Sequence, residues 1–389
     1  MRVLFLATRD WYDPGSAGGD EVMWEYARYL SSAGHEVTYV AAAYSGAAPE
    51  ELVDGLRVIR LGRIHTLWLR SFAYYIRRAR GQVDVVVAEG FGGSRIPRLV
   101  PLYVREPILT EWHQVYRPLF AAQYPRVMHA PLNLLEWLTA RAHRGTLLRA
   151  GTEEVKQDFI GLGFRADRIF VLPVSVRDEW LNHSDLPTTG SQELIWLGKV
   201  RKYKRPDHAI RALTTVIRRF PGARLTIAGR HDDRAYEKVL VGLVRELDLE
   251  DHVEFRFDVS ETEKRALLLR SRALVLPSAV EGFGIVVVEA NSCGVPVIAS
   301  SGVPASVVRD GHTGLRYPSG DIDALATQIC RLFADDVLHG SLSVNARSFA
   351  RQFGWRSIGG QYVSVIEDLI AGRQIVAAAP AQLESEIPV

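Results

Sequence analysis

The sequence predicts an α/β protein with two parallel-sheet domains, and three observations lead to this prediction. Short runs rich in Val, Ile and Leu alternate with longer stretches of helical periodicity, the pattern of parallel strands joined by helical crossovers. The chain has 389 residues, more than one domain of ordinary size holds. Between Leu172 and Glu193 the alternation gives way to polar, turn-forming residues and then restarts, which is typical of an interdomain linker.

The apolar runs define the predicted strands. In the first half they are Val3–Ala7, Glu36–Ala41, Val58–Leu61, Val83–Ala88, Ile108–Glu111 and Arg168–Leu172. In the second half they are Leu194–Leu197, Arg224–Ala228, His252–Phe257, Ala273–Leu276 and Val295–Ala299. Because both halves repeat this pattern, we expect two similar units with a ligand cleft between them at the carboxyl ends of their strands.

Helices fill the intervals between the strands. The first is expected at about Asp20–Ser32 and stops at Gly34, a residue suited to a left-handed helix cap. Ser260 and Glu263 form a capping box that opens a helix ending near Arg270. The predicted domains are residues 1–175 and 176–355, followed by a helix at 356–373 that returns to the first domain and a weakly ordered tail at 374–389.

Composition excludes several classes of protein. Apolar residues make up 47% and charged residues 24%, which is typical of a soluble globular chain. The formal charge of +2 provides no overall field for nucleic acid. Cys293 and Cys330 have no metal-ligand spacing, so no metal site is expected. The apolar run of five residues near the amino terminus is shorter than a signal-peptide core, and we expect a cytoplasmic protein.

The segment Pro277–Pro296 combines a strand end, a glycine turn and a helix start. Gly282 and Gly284 lie in the turn, Glu281 just before the helix and Glu289 within it. A helix start exposes unpaired N–H groups and the positive end of the helix dipole, which suit a diphosphate. The two carboxylates would accept hydrogen bonds from polyol hydroxyls on either side of such a phosphate. The alternative is an ordinary glycine turn followed by an ordinary helix glutamate.

A second segment is rich in basic residues. Five of them lie between a predicted strand and a helix: Lys199, Arg201, Lys202, Lys204 and Arg205. Such a cluster can hold a diphosphate through charge-assisted hydrogen bonds. A solvated basic loop is the alternative. In the first half, the glycine loop with Gly18 and Gly19 follows the first strand, and His113 follows another strand, positions at which ligands bind in such sheets.

Together these segments resemble the signature of retaining, nucleotide-sugar-dependent glycosyltransferases with the GT-B fold, in particular family four. The resemblance implies two Rossmann-like domains facing across a cleft and transfer of a sugar from a nucleoside diphosphate sugar to a hydroxyl acceptor, with no metal and no further cofactor. It implies that Lys199 and Lys204 bind the leaving diphosphate and that Glu281 binds the sugar. It further implies that Glu289 binds the ribose and that His113 bonds a hydroxyl of the donor sugar. Further substrate contacts are expected at Gly18, Gly19, Gly198, Phe283, Gly284 and Ile285.

Other functions stay open. No G-x-G-x-x-G follows the first strand, which disfavours a dinucleotide oxidoreductase. A nucleotide-sugar epimerase, a phosphorylase or a non-catalytic nucleotide-sugar binder would share the architecture. The acceptor can be a glycan, a lipid-linked sugar or a small natural product. The helical pattern from Leu67 to Arg80 has two interpretations: a core-facing helix, which is the commoner case, or one that lays Trp68, Phe72 and Tyr75 on the inner membrane face.

Overall fold

The computed structural model describes residues 1–92, 98–183, 187–188 and 190–375. The strands are β1 Arg2–Leu6, β2 Glu36–Ala41, β3 Glu50–Val53, β4 Leu56–Arg60, β5 Val85–Glu89, β6 Ile108–Glu111, β7 Leu147–Ala150, β8 Ile169–Val171, β9 Glu193–Lys199, β10 Arg224–Arg230, β11 Val253–Phe257, β12 Ala273–Leu276, β13 Val297–Ser300 and β14 Gly314–Tyr317. The last residues of the predicted tail, 376–389, lie outside the described residues.

The helices of the described chain follow the same order. They are α1 Gly18–Ser32, α2 Leu67–Tyr74, α3 Arg117–Gln123, α4 Arg126–His143, α5 Glu153–Leu162, α6 Asp178–Leu181, α7 Pro206–Arg219, α8 Arg234–Glu246, α9 Glu261–Arg270, α10 Ile285–Ser292, α11 Ile322–Ala334, α12 Asp336–Ala350 and α13 Trp355–Ile370. A π-helical turn, Tyr75–Ala79, continues α2. No helix in these ranges is long and apolar enough to cross a membrane.

Two compact units make up the chain. The first comprises residues 1–115, 130–174 and 355–389, and the second comprises residues 116–129 and 175–354. Each contains one sheet, with strand order β3-β4-β2-β1-β5-β6-β7-β8 in the first and β11-β10-β9-β12-β13-β14 in the second. All neighbouring strands are parallel except β3 and β4. The predicted α/β class is therefore confirmed.

In the first unit the sheet is covered by helices that bury Val and Leu side chains. Leu4, Leu6, Val86 and Ala88 lie in one cluster with residues of the π-helical turn. The last helix, α13, packs on α1, where the rings of Tyr26 and Tyr362 stack with centroids 3.9 Å apart. In the second unit the core is built around β9 and β10 and is covered by α7, α8 and α11.

Local predictions at helix ends are confirmed. Gly34 has φ +86°, the left-handed conformation expected just after α1. The hydroxyl of Ser260 accepts from the Glu263 N–H at 3.2 Å, and the Glu263 carboxylate accepts from the Ser260 N–H at 2.9 Å, which completes the capping box of α9.

Three strands of the described chain were not predicted, and the side chain of Tyr75 is buried, contrary to one interpretation of its helix. β3, β7 and β14 have four residues each, and β7 contains the buried Arg149, which interrupts the apolar pattern. The less favoured of the two interpretations of residues 67–80 placed Tyr75 on an exposed face with Trp68 and Phe72; for Tyr75 that interpretation is wrong, because its side chain is fully buried. Buried positions recur every fourth residue at 67, 71, 75 and 79, and the π-helical turn contains the last two of them.

Candidate functional site

In the second unit, Lys204 of the basic segment and Glu281 of the glycine-turn segment lie close together at the carboxyl ends of two neighbouring strands. β9 and β12 are parallel neighbours, so the loops that follow them lie side by side. The N–H of Ala279 donates to the carbonyl of Tyr203 at 2.7 Å and ties the two loops together. Beside this bond, Lys204 Nζ donates to Glu281 Oε1 at 2.7 Å.

The side chain of Lys204 is closely packed against Gly198 and bonded to Glu281. Gly198 has φ +155°, and a Cβ added there would lie 3.3 Å from Lys204 Cδ, so the glycine leaves room for the lysine stem. Burial alone would lower the pKa of Lys204, but the charge of Glu281, the hydrogen bond to it and the nearby Tyr203 together outweigh burial, and the pKa is raised. Ser278 Oγ also donates to Glu281 Oε1, at 2.8 Å, which fixes the carboxylate. This loop therefore carries a charged lysine and an oriented carboxylate.

The other basic residues of this segment have different partners. Lys199 ends β9, and its Nζ lies 3.9 Å from Asp232 Oδ1. Arg201 donates from Nε to Asp232 Oδ2 at 2.5 Å, and Arg205 donates to Ser319 Oγ at 2.9 Å. Four of the five predicted cations therefore contact Glu281, Asp232 or Ser319 instead of converging on one point, and Lys202 is exposed. Asp232 was not singled out by the sequence, because it follows a different strand.

The start of α10 has no side-chain cap. Gly284 precedes the first helical residue, Ile285, with φ +87°, and no side chain caps the helix there. The aromatic side chain of Phe283 is buried against Phe353, with ring centroids 5.7 Å apart. Uncapped N–H groups and the helix dipole give this point a positive character.

Glu289 lies one turn into α10 and is nearly inaccessible, with 4% of its surface exposed. Lys264 Nζ of α9 donates to Glu289 Oε1 at 2.8 Å. Within the described chain, Glu289 Oε2 has no hydrogen-bond partner. Burial raises the pKa of Glu289, and the charge of Lys264 opposes that rise without cancelling it. One oxygen of this carboxylate is therefore oriented by a lysine, and the other is available to a donor.

Lys264 is a site residue that sequence reasoning missed. Besides Glu289 it reaches Glu261 at 3.0 Å, and its Nζ lies 4.9 Å from the centroid of the Trp180 ring. The contact with Glu289 joins two helices that are far apart in sequence. No spacing rule marks such a contact, so the sequence carried no signal for it.

In the first unit the glycine loop and His113 come together. Gly18 and Gly19 open α1 directly after the loop that follows β1. A Cβ added to Gly19 would lie 2.6 Å from His113 Cδ2 and 2.8 Å from His113 Nε2. Because no side chain fits in that space, glycine at position 19 permits the imidazole to lie against the loop.

The position of His113 follows from the residues just before it. β6 ends at Glu111, which accepts from Arg149 Nε at 2.7 Å inside the unit. Trp112 is fully buried and stacks on Phe91 with ring centroids 6.0 Å apart. Burial, aided by the charge of Arg149, lowers the pKa of His113 to about 4, so the imidazole is neutral near pH 7.

Metal ligands were also sought in the part of the chain that the structure describes. No group of three or more His, Cys, Asp or Glu side chains there stands close enough together to hold a metal ion.

Two protein families match the chain. Residues 17–180 match Glycosyltransferase Family 4, and residues 178–349 match Glycosyl transferases group 1. A glycogen synthase of Mycobacterium tuberculosis is 25% identical over 400 aligned residues, covering 92% of each chain.

Solved structures share the fold. The chain superposes on the sucrose-phosphate synthase of Thermosynechococcus elongatus with a TM-score of 0.81 and 18% identity, over 96% of this chain and 100% of that one. It superposes on Anabaena HepE, solved in complex with UDP and glucose, with a TM-score of 0.77 and 18% identity, over 95% of this chain and 100% of that one. These relatives have the predicted GT-B architecture. The chain is a glycosyltransferase that belongs to group 1 and is similar to family 4.

Proposed function

We propose that the enzyme transfers a hexose from a nucleoside diphosphate sugar to a hydroxyl acceptor, with retention of configuration at the anomeric carbon and without a metal ion. The observation that carries this proposal is the contact of Lys204 with Glu281 beside the uncapped start of α10. A lysine and a row of backbone N–H groups at one strand edge can neutralise a departing diphosphate. Lys199, at the end of the adjoining β9, adds a second positive charge.

The two carboxylates accept hydrogen bonds from hydroxyl groups of the donor. Glu281, already oriented by Ser278, accepts from the sugar, and the unpaired Oε2 of Glu289 accepts from the ribose diol. In the reaction the bond between the anomeric carbon and the phosphate oxygen breaks as the acceptor oxygen bonds to the same carbon from the same face. The acceptor proton passes to the departing phosphate oxygen. Neither glutamate forms a covalent intermediate.

The first unit contributes neutral groups. His113, uncharged because its pKa is about 4, bonds a hydroxyl of the donor sugar. Gly18 and Gly19 let the backbone of their loop approach the substrate closely. In the second unit, Gly198, Phe283, Gly284 and Ile285 contact the donor chiefly through their backbone.

The donor and acceptor classes rest partly on relatives. HepE binds UDP and glucose, which favours a uridine diphosphate sugar as the first donor to test. The acceptor class is a glycan, a lipid-linked sugar or a small natural product, and the relative named glycogen synthase favours a glycan. No further cofactor takes part, since the donor itself supplies the sugar and the leaving group.

Transfer to methanol tests reaction type and stereochemistry together, because a methyl glycoside does not change its anomeric configuration after release. The full chain is incubated with α-linked UDP-, GDP-, ADP- and dTDP-sugars in dilute methanol, with and without EDTA, and products are followed by NMR. We expect the methyl α-glycoside from one donor, at the same rate with EDTA. A β-product would exclude retention, and loss of activity in EDTA would exclude metal independence. Donor binding with no turnover in methanol or water would indicate a non-catalytic nucleotide-sugar binder.

A further inference from the structure

Helix α2 and its π-helical extension present large apolar side chains to solvent. Trp68 is 48% exposed, Phe72 is 43% exposed and Ile76 is 41% exposed. The opposite side of the same segment is buried and includes Leu67 and Tyr75. The exposed residues therefore form a second apolar face that the core of the first unit does not use.

Helix α4 has the same character within the first unit. Leu134 is 54% exposed, Trp137 is 46% exposed and Leu138 is 42% exposed. Their spacing of three and four places them on one side of the helix. Glu136 and His143, on the other side, are fully buried. This helix also carries apolar surface in excess of what its packing requires.

The two helices cover the same face of the first sheet. The crossovers β4-α2-β5 and β6-α4-β7 run in the same direction along the strand order, and right-handed crossovers in one direction place their helices on one face. The short segment from residue 98 to 104 joins them: Tyr103 contacts the Phe72 ring at 5.1 Å, and the Arg98 carbonyl bonds His143 Nε2 at 2.7 Å. Leu102 of this segment is 70% exposed.

The charges on these helices have one sign. Residues 63–80 contain five arginines and no carboxylate. Within residues 130–144 the single carboxylate, that of Glu136, is buried, whereas Arg141 and Arg144 are exposed. Acidic side chains reappear on α5, with exposed Glu153 and Asp158, which marks the border of the positive region.

We propose that this face docks on the surface of an anionic lipid bilayer. The apolar–arginine face is defined by Trp68, Phe72, Ile76, Leu102, Leu134 and Trp137 together with the arginines around them. Tryptophan and aliphatic side chains enter the region between headgroups and acyl chains, while arginines bind lipid phosphates. A second copy of this chain fits less well, because a symmetric contact sets the same positive face against itself. The inference does not depend on the proposed reaction.

Vesicle flotation of the full chain tests this inference, and no sugar donor or acceptor is needed. The vesicles are phosphatidylcholine alone, or phosphatidylcholine with about 30% phosphatidylglycerol to give an anionic surface. We expect flotation with the anionic vesicles only, and its loss near ~1 M salt, where charges are screened beyond about 3 Å. Failure of the wild-type chain to float with anionic vesicles would overturn the proposal, whatever the outcome of the transfer assay.

Three variants localise the binding surface. Trp68→Ser/Phe72→Ser/Trp137→Ser removes exposed aromatic rings and should weaken the partition coefficient more than about tenfold. Arg77→Gln/Arg78→Gln/Arg80→Gln should weaken it by on the order of fivefold per arginine. The matched control, Val239→Ser/Val337→Ser/Val344→Ser, changes exposed valines of the second unit and should float like the wild type.

The variant series also separates lipid from protein partners. Equal flotation of all variants, with melting temperatures preserved, would place the lipid contact elsewhere and overturn the proposal. Sedimentation velocity tests whether a second copy of this chain binds to the apolar–arginine face. Concentration-dependent dimers that the aromatic variant abolishes, with no flotation of the wild type, would assign the face to self-association instead.

Discussion

Glu281 and Glu289 belong to one stretch of chain but meet different lysines, and this difference separates their proposed roles. Lys204, in the loop after β9, donates a hydrogen bond to Glu281, whereas Lys264, in the neighbouring helix α9, donates one to Glu289. The sequence singled out both glutamates and Lys204 as candidates, because turn and basic-cluster patterns mark them. Lys264 was not, since a contact between helices far apart in sequence leaves no trace in spacing.

The first prediction concerns the ribose. Glu289→Gln should raise the donor KM at least about tenfold and change kcat by less than about threefold, because a hydrogen bond to a charged acceptor is lost outside the reacting bond. Steady-state kinetics with the active donor measure both constants. Glu254→Gln, in an exposed part of β11, is the control and should behave like the wild type. An unchanged donor KM in Glu289→Gln would contradict the ribose role.

At the scale of elements, strand ends bring the candidate residues together. The apolar runs predicted most strands because parallel buried strands are nearly continuous in Val, Ile and Leu. β7 escaped prediction because it contains Arg149, whose charge is balanced by Glu111 of the neighbouring strand. That partner becomes visible only after the strands are aligned. The π-helical turn after α2 was equally hidden, since no residue pattern specifies it.

The turn before α10 makes a second prediction. Gly284→Ala forces a side chain onto a residue with φ +87° and should cost about 1 kcal/mol of stability. Gly311, with φ +68° and open space around it, is the matched control, and Gly311→Ala should cost a similar amount. Donor affinity should fall only in Gly284→Ala, because only that turn presents the helix start. Equal donor affinity in the two variants would argue against a diphosphate at α10.

The buried His143 makes a third prediction, on pH. It bonds the Arg98 carbonyl at 2.7 Å and Thr110 Oγ1 at 2.9 Å, and burial lowers its pKa from 6.5 to about 4. Between these values the unfolded chain binds a proton that the folded chain does not, so stability falls as pH falls. The loss attributable to this group reaches about 3 kcal/mol by pH 4.

Thermal unfolding at several pH values measures that loss. The wild type should lose more stability between pH 7 and 4 than His143→Gln, which has no imidazole to protonate. His65→Gln, at an exposed position, is the control and should follow the wild type. If His143→Gln lost as much stability as the wild type over this range, the buried imidazole would not be the group responsible.

At the scale of the whole molecule, each unit contains its own group of candidate residues. The second unit contains the lysines, both glutamates and the start of α10, and the first contains the glycine loop and His113. Sequence patterns predicted the α/β class and the location of these segments in each half. They could not predict which of the five basic residues would form ion pairs within the protein. Asp232 follows a different strand and comes next to Arg201 only when the sheet is folded.

Nucleotide binding by Lys204→Met and Lys202→Met tests the central claim most directly. Both lysines lie in the short helical turn after β9, but only Lys204 contacts Glu281, and Lys202 is exposed. Calorimetric titration with UDP, GDP, ADP and dTDP should find one nucleotide that binds the wild type and Lys202→Met equally. For Lys204→Met its affinity should be at least about tenfold weaker, since a charge-assisted bond to the diphosphate is lost. Equal affinity of the two variants for that nucleotide would contradict the claim that Lys204 holds the diphosphate.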